Sequence, residues 1–251
     1  MTTQNSSKVE APKIDAPCVV LIHGAWLGGW IWEPVLKLLR AHGIDAIAPT
    51  LTGLGDRSHL MGPTIDLRMH VMDIAQSLRF ISSRRVLLVG HSYGGVIASE
   101  VAGEMPERIA ALVVLDGFLG VAERSIVERY PAMQALLDGL VSSPGAVLVP
   151  PPDAALLSEP SDGTPAMLKR MRPMPMRAFQ QRCLHTANDL PCERYYVRLS
   201  RFPFFADTVI EARDAGWDTS ELDADHLAPL TAPELLAGQL VHIVQRHGSS
   251  S

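Results

Sequence analysis

With 251 residues, 47% of them hydrophobic, the chain is long enough for one large α/β domain, or one domain with a sizeable insertion. Its 22 Lys and Arg against 27 Asp and Glu leave a net charge of −5 with no basic run, which argues against a nucleic-acid partner. No apolar run approaches the roughly 18 residues of a membrane span, and three cysteines (Cys18, Cys183, Cys192) without C-x-x-C spacing read as reduced thiols, neither a disulfide framework nor a zinc site.

Residues 1–15 are polar and lack a secretory apolar core, so a disordered lead on a cytoplasmic protein is expected. A buried strand over 17–22 is followed by the loop His23-Gly-Ala-Trp-Leu-Gly-Gly-Trp30. Helical spacing over 32–39 stops at Gly43, and a second strand over 44–48 is closed by Pro49. The loop over 50–64 contains Gly53-Leu-Gly55, but no third glycine and no helix follow, so a dinucleotide fingerprint is rejected. Leu67, Val71, Ile74 and Leu78 predict a helix over 67–80. A strand over 86–89, a helix over 93–105 and a strand over 109–115 come next.

Between 117 and 191 the composition changes: prolines and methionines cluster and helical stretches are short. A structureless loop of that length is uncommon inside a domain, so 117–191 is expected to be a mostly helical cap inserted into a core made of 16–116 and 192–247. Strand character returns over 193–199, helix over 204–215, strand over 217–222 and a closing helix over 232–245. Strands alternating with helices, without hairpin signals, predict a doubly wound, mostly parallel sheet of about six strands.

The run Val86-Leu-Leu-Val-Gly-His-Ser-Tyr-Gly-Gly-Val96 places a serine on a sharp turn between a buried strand and a helix, the context of a G-x-S-x-G nucleophile elbow. A chain turning that tightly needs positions without Cβ on either side, which Gly90 and Gly94 supply. A serine hydroxyl is a weak nucleophile and needs a base within hydrogen-bond reach, N–H donors for an oxyanion, and a third group to orient the base. In such a sheet these groups gather beyond the carboxyl ends of the strands. Tyr93 N–H, at the helix start, and Ala25 N–H, after the first strand, are the candidate oxyanion donors. The imidazoles of His23 and His91 read as structural hydrogen-bonders. Of nine histidines, His226 alone lies late in the chain between a strand and the last helix, and is the candidate base. The loop after 193–199 has no carboxylate before Asp207, which belongs to the following helix. Asp116, at the end of the strand beside the elbow strand, is the candidate acid; the alternative, that it caps a turn ahead of Gly117, stays open. Asp223 and Asp225 are too near His226 along the chain to face its ring.

Leu21-Ile-His-Gly-Ala-Trp26 with Gly29-Trp-Ile-Trp32, Gly90-His-Ser-Tyr-Gly-Gly95, Leu115-Asp-Gly-Phe118 and Ala224-Asp-His-Leu227 together resemble the α/β-hydrolase superfamily, over about residues 17–243. The resemblance is closest to the salicylate-methylesterase and hydroxynitrile-lyase group and its bacterial esterase-like relatives. Plant enzymes of that group have their acid after the penultimate strand, where this chain reads Leu199-Ser-Arg-Phe-Pro; some bacterial relatives have Asp at the position of Asp116. Hydroxynitrile lyases have a threonine near the oxyanion loop and a lysine after the catalytic histidine. Gly24 and Leu227 stand there, so cyanohydrin cleavage is disfavoured. A serine at the elbow also sets the chain apart from the dehalogenase and epoxide hydrolase branches, which use Asp.

The resemblance and the residues together lead to the expectation of a serine carboxylesterase without metal or cofactor, acting on a small hydrophobic ester or lactone. Trp26, Phe118, Met167, Met171 and Leu227 are the candidate pocket residues, and a second copy of the chain is a candidate partner. The alternatives are a ligand-binding or receptor module with slow turnover, or a C–C hydrolase or lyase on the same scaffold.

Overall fold

The computed structural model describes residues 17–143, 145–158 and 169–248. Its centre is a six-stranded, all-parallel sheet in the order β2-β1-β3-β4-β7-β8. The strands are β1 (Cys18–Ile22), β2 (Ala46–Ile47), β3 (Val86–His91), β4 (Ile109–Leu115), β7 (Glu193–Leu199) and β8 (Asp218–Leu222). Every residue of β1, β3 and β4 is buried, as central parallel strands covered on both faces require. The register pairs Ile22 with Gly90, His91 with Leu115, Leu115 with Val197 and Leu199 with Leu222, so five strands end along one edge. From β1 the chain moves outward to β2 and then returns to β3 on the other side. That reversal opens a crevice at the strands' carboxyl ends.

The flanking helices are α1 (Glu33–Ala41), α2 (Leu67–Arg79), α3 (Gly94–Glu104), α7 (Ala206–Asp214) and α9 (Pro233–Gly248). α1 packs on α9, and α2 on α3. A 3-10 turn over Gly29–Trp32 precedes α1, and a short α8 (Ala228–Thr231) that sequence periodicity did not reveal precedes α9.

One expectation needs correction. The strand expected over 44–48 shrinks to Ala46–Ile47. Ile44 N–H is already used to close α1 on Leu39 O, with Gly43 at φ 71°, and Pro49 offers no donor beyond. The segment between β4 and β7 mixes short helices with a small ribbon. It holds the short helices α4 (Ile126–Arg129), α5 (Pro131–Leu140) and α6 (Arg177–Gln180), together with an antiparallel ribbon of β5 (Leu148–Val149) and β6 (Met174–Pro175). The ribbon's halves are far apart in sequence, so no turn signal announces them. α4 starts with a capping box, Ser125 Oγ accepting from Glu128 N and Glu128 from Ser125 N. The returning limb is tied to α3 by the buried Glu100 carboxylate, which accepts the N–H groups of Leu184 and His185 at 3.0 and 2.9 Å.

Candidate active site

Ser92 stands between β3 and α3 at φ 55°, the left-handed region, and is partly exposed. A Cβ on Gly90 would fall 2.2 Å from Gly94 O, and one on Gly94 2.7 Å from Ile22 O, so this turn closes only with glycine at both places. The turn is pinned by Ser92 N–H to Leu115 O (3.1 Å) and by Phe118 N–H to Ser92 O (3.2 Å). Trp26 (φ 62°) and Asp116 (φ 41°) are left-handed too. Three non-glycine residues in that region, each costing about 1–3 kcal/mol, sit in turns along the same sheet edge.

The loop after β1 lies against the elbow: a Cβ on Gly24 would be 3.0 Å from Ser92 Cβ and 3.2 Å from His91 Nδ1. His23 Nε2 accepts Leu51 N–H (3.1 Å), which leaves its proton on Nδ1 to donate to Gly24 O (2.8 Å). Holding that carbonyl sends the N–H of the same trans peptide, Ala25 N–H, the opposite way. Among the described residues neither Ala25 N–H nor Tyr93 N–H has a hydrogen-bond partner.

Asp116 follows β4, on the register line beside Ser92, and is fully buried. Its Oδ2 is 2.7 Å from His226 Nδ1, and its Oδ1 accepts Leu199 N–H at 3.2 Å. Burial holds the His226 imidazole neutral by pushing its pKa down. Burial pushes the Asp116 carboxyl up, against which the Leu199 N–H and the Arg198 charge favour the anion. An anionic Asp116 accepts a hydrogen bond from His226 Nδ1–H, which keeps the ring proton on Nδ1 and leaves the Nε2 lone pair free. No hydrogen bond within 3.5 Å joins Ser92 to His226 among the described residues, a looseness common in such pairs before substrate binds. His91 links them: its Nε2–H donates to His226 O at 2.8 Å, and the two rings lie 4.6 Å apart.

A sequence model of the alpha/beta hydrolase family matches residues 19–239. The chain belongs to this family. Among curated relatives, a carbendazim hydrolyzing esterase from Nocardioides sp. is 41% identical over 45% of this chain and 46% of its own length. The pFDCC methylesterase MES16 of Arabidopsis thaliana is 26% identical over 90% and 93% of the two chains. A pyrethroid hydrolase from Sphingobium wenxiniae is 30% identical over 62% of this chain. The match covers 46% of each of the two bacterial relatives, under half of their length. In three dimensions, an extracellular alpha/beta-hydrolase from a Paenibacillus species superposes with a TM-score of 0.79 at 21% identity, over 93% of this chain and all of that one.

The other carboxylates near His226 have separate partners. Asp225 accepts from Leu227 N–H, Thr231 Oγ1 and Ser158 Oγ, and Asp223 pairs with Arg201 at 2.8 Å. Asp207 is exposed in α7. Four of the expected pocket residues are buried in side-chain packing: Trp26 against Phe179, Phe118 against Tyr130, Phe204 and Phe205, with Met171 and Leu227 also enclosed. Met167 lies outside the described residues. A cleft of about 540 Å³ opens instead beside Trp30, lined also by Glu33, Thr50, Asp56, Arg170 and Arg172, and none of the expected pocket residues lines it. Sequence reasoning also missed Phe202, whose ring stacks on His226 at 4.2 Å, with Phe205 at 5.8 Å. The Phe202-Pro-Phe-Phe205 run, in the loop where the plant relatives keep their acid, was the available signal. Among the described residues no helix is long and apolar enough to cross a membrane.

Proposed function

We propose that this alpha/beta hydrolase is a serine carboxylesterase acting on a small, largely hydrophobic ester or lactone. The observation behind the reading is the 2.7 Å contact between Asp116 and His226 Nδ1, at the sheet edge where Ser92 occupies its strained turn. In this reading Ser92 Oγ attacks the ester carbonyl while His226 Nε2 takes its proton, and Asp116 stabilises the resulting imidazolium. The carbonyl oxygen, now an oxyanion, is held by Tyr93 and Ala25 N–H, each worth roughly 3 kcal/mol to the transition state by precedent. His226 returns the proton to the departing alkoxide. Water, deprotonated by the same ring, then releases the acid.

Phe118, Phe202, Phe204 and Phe205, clustered around and beside His226, support a hydrophobic acyl or alcohol group. The esterase and methylesterase names of the relatives agree with ester chemistry. The three free thiols agree with a reducing, cytoplasmic setting. Gly24 and Leu227, where hydroxynitrile lyases have threonine and lysine, favour hydrolysis over cyanohydrin cleavage, and a Cβ at 24 would crowd Ser92 Cβ at 3.0 Å and His91 Nδ1 at 3.2 Å. The test is hydrolysis of short-chain p-nitrophenyl esters with Ser92→Ala as the control. Loss of turnover is expected; undiminished turnover would sink the reading.

A further inference from the structure

The helical pattern of α2 puts Leu67, Val71, Ile74 and Leu78 in the core, and His70 shares that buried face. A histidine in such a stripe is costly unless both ring nitrogens are satisfied. Here they are. His70 Nε2 lies 3.0 Å from Thr52 O, a carbonyl that can only accept, so the ring proton sits on Nε2. Nδ1 then has only a lone pair, and at 3.0 Å it accepts the hydroxyl proton of Tyr93. His70 and Tyr93 both have no exposed surface. The carbonyl held by His70 is itself immobilised, because Thr52 N–H and Oγ1 both donate to Asp73, at 2.6 and 2.8 Å, and Asp73 also pairs with Arg57.

Tyr93 follows Ser92 and bears one of the two proposed oxyanion N–H groups. Fixing its ring at the far end limits rotation of its backbone, and so the direction of that N–H. The other edge of the ring packs on Phe179 (5.6 Å), which packs on Trp26 (5.7 Å), the neighbour of Ala25. The two oxyanion donors are thus braced through one aromatic arch whose polar foot is His70.

We infer that His70 is a positioning residue of the ester-hydrolysis site, orienting the Tyr93 N–H toward the oxyanion through the Tyr93 hydroxyl. This rests on the carboxylesterase reading. An oxyanion donor acts on the transition state and not on the bound ester, so kcat falls while KM stays.

The experiment compares His70→Phe, His70→Asn, Tyr93→Phe and the double variant His70→Phe/Tyr93→Phe in p-nitrophenyl ester kinetics, with thermal melts of each. His70→Phe is expected to lower kcat about 10- to 100-fold, part of what a lost donor costs, with KM within about threefold. His70→Asn, whose Oδ1 can take the place of Nδ1, should recover most of the rate, and the double variant should be no slower than His70→Phe alone. Parental kcat in a folded His70→Phe, an Asn variant no faster than Phe, or losses that multiply in the double variant would each overturn the inference. If His70→Phe does not fold, His70→Asn and Tyr93→Phe decide: the first should keep near-parental kcat and the second lose part of it. A second readout is independent of turnover. ¹⁵N NMR of His70 in Ser92→Ala should show a protonated Nε2 and a bare Nδ1; a protonated Nδ1 would overturn the inference. Undiminished turnover in Ser92→Ala would instead remove the esterase reading, with the tautomer result still standing by itself.

Discussion

Replacing Asp116 by Asn keeps the side-chain shape but exchanges one acceptor for a donor, and the structure dictates which one. Leu199 N–H donates to Oδ1 at 3.2 Å, so the Asn carbonyl must face Leu199 and its NH₂ must face His226 Nδ1. A nitrogen that receives a donor must be bare, so the ring proton moves to Nε2, where the base needs its lone pair. The amide fits the same buried space; one of its N–H groups faces His226, and the other meets no acceptor among the described hydrogen bonds, at a cost of about 1–3 kcal/mol. The expected result is a folded protein with a modestly lowered melting temperature whose kcat falls about 10⁴-fold, the size of the equivalent change in a serine protease and about 5.5 kcal/mol of barrier. The assay is p-nitrophenyl ester turnover beside a melt, with Asp207→Asn as the comparison, because Asp207 is exposed in α7 and should be silent. If Asp116→Asn stays within tenfold of the parent, or if Asp207→Asn collapses kcat, the assignment of the acid is wrong.

Gly24→Thr should cost about 1–3 kcal/mol of stability by overpacking and should depress esterase activity, since its Cβ would sit 3.0 Å from Ser92 Cβ. Cyanohydrin cleavage appearing in that variant would contradict the steric reasoning. The pH dependence of stability follows from His23, His70 and His91, all buried and all with pKa values lowered by burial, His23 to about 4. Between pH 6.5 and about 4 the unfolded chain takes up protons on these rings and the folded chain does not, so stability rises with pH across that window and is lost as pH falls. Glu100 and Asp116, both raised by burial and Asp116 to about 8, work the opposite way, while His226, lowered by burial to about 3, adds to the other three histidines. Melting temperature measured against pH should therefore drop on acidification, and His23→Asn should flatten the slope; an unchanged slope in that variant would refute the assignment.

The sequence by itself determined the architecture. β4 and β7 were legible to the residue and β3 nearly so. β3 and β4 are near-continuous apolar runs, as central parallel strands require, and β7 shows through its Tyr195-Tyr-Val197 centre between charged residues. The elbow was legible for a related reason, because a serine on a turn that tight demands glycine at fixed offsets, a purely local constraint. Asp116 was reachable by asking which strand end lies beside the elbow strand, a question of topology that local pattern had already answered.

What only the tertiary structure decided depends on contacts between distant parts of the chain. The β5–β6 ribbon joins Val149 to Met174, a pairing with no signal in either stretch alone. Phe202 comes to rest on His226 because β7 and β8 end side by side. His70 looked like one polar residue on an apolar helix face. Its place beneath Tyr93 exists because α2 packs on α3 while the loop after β2 brings Thr52 to its other nitrogen. Local sequence sets backbone conformation over a few residues, whereas the partner of a buried polar group is chosen by the packing of whole elements, and only the assembled fold shows it.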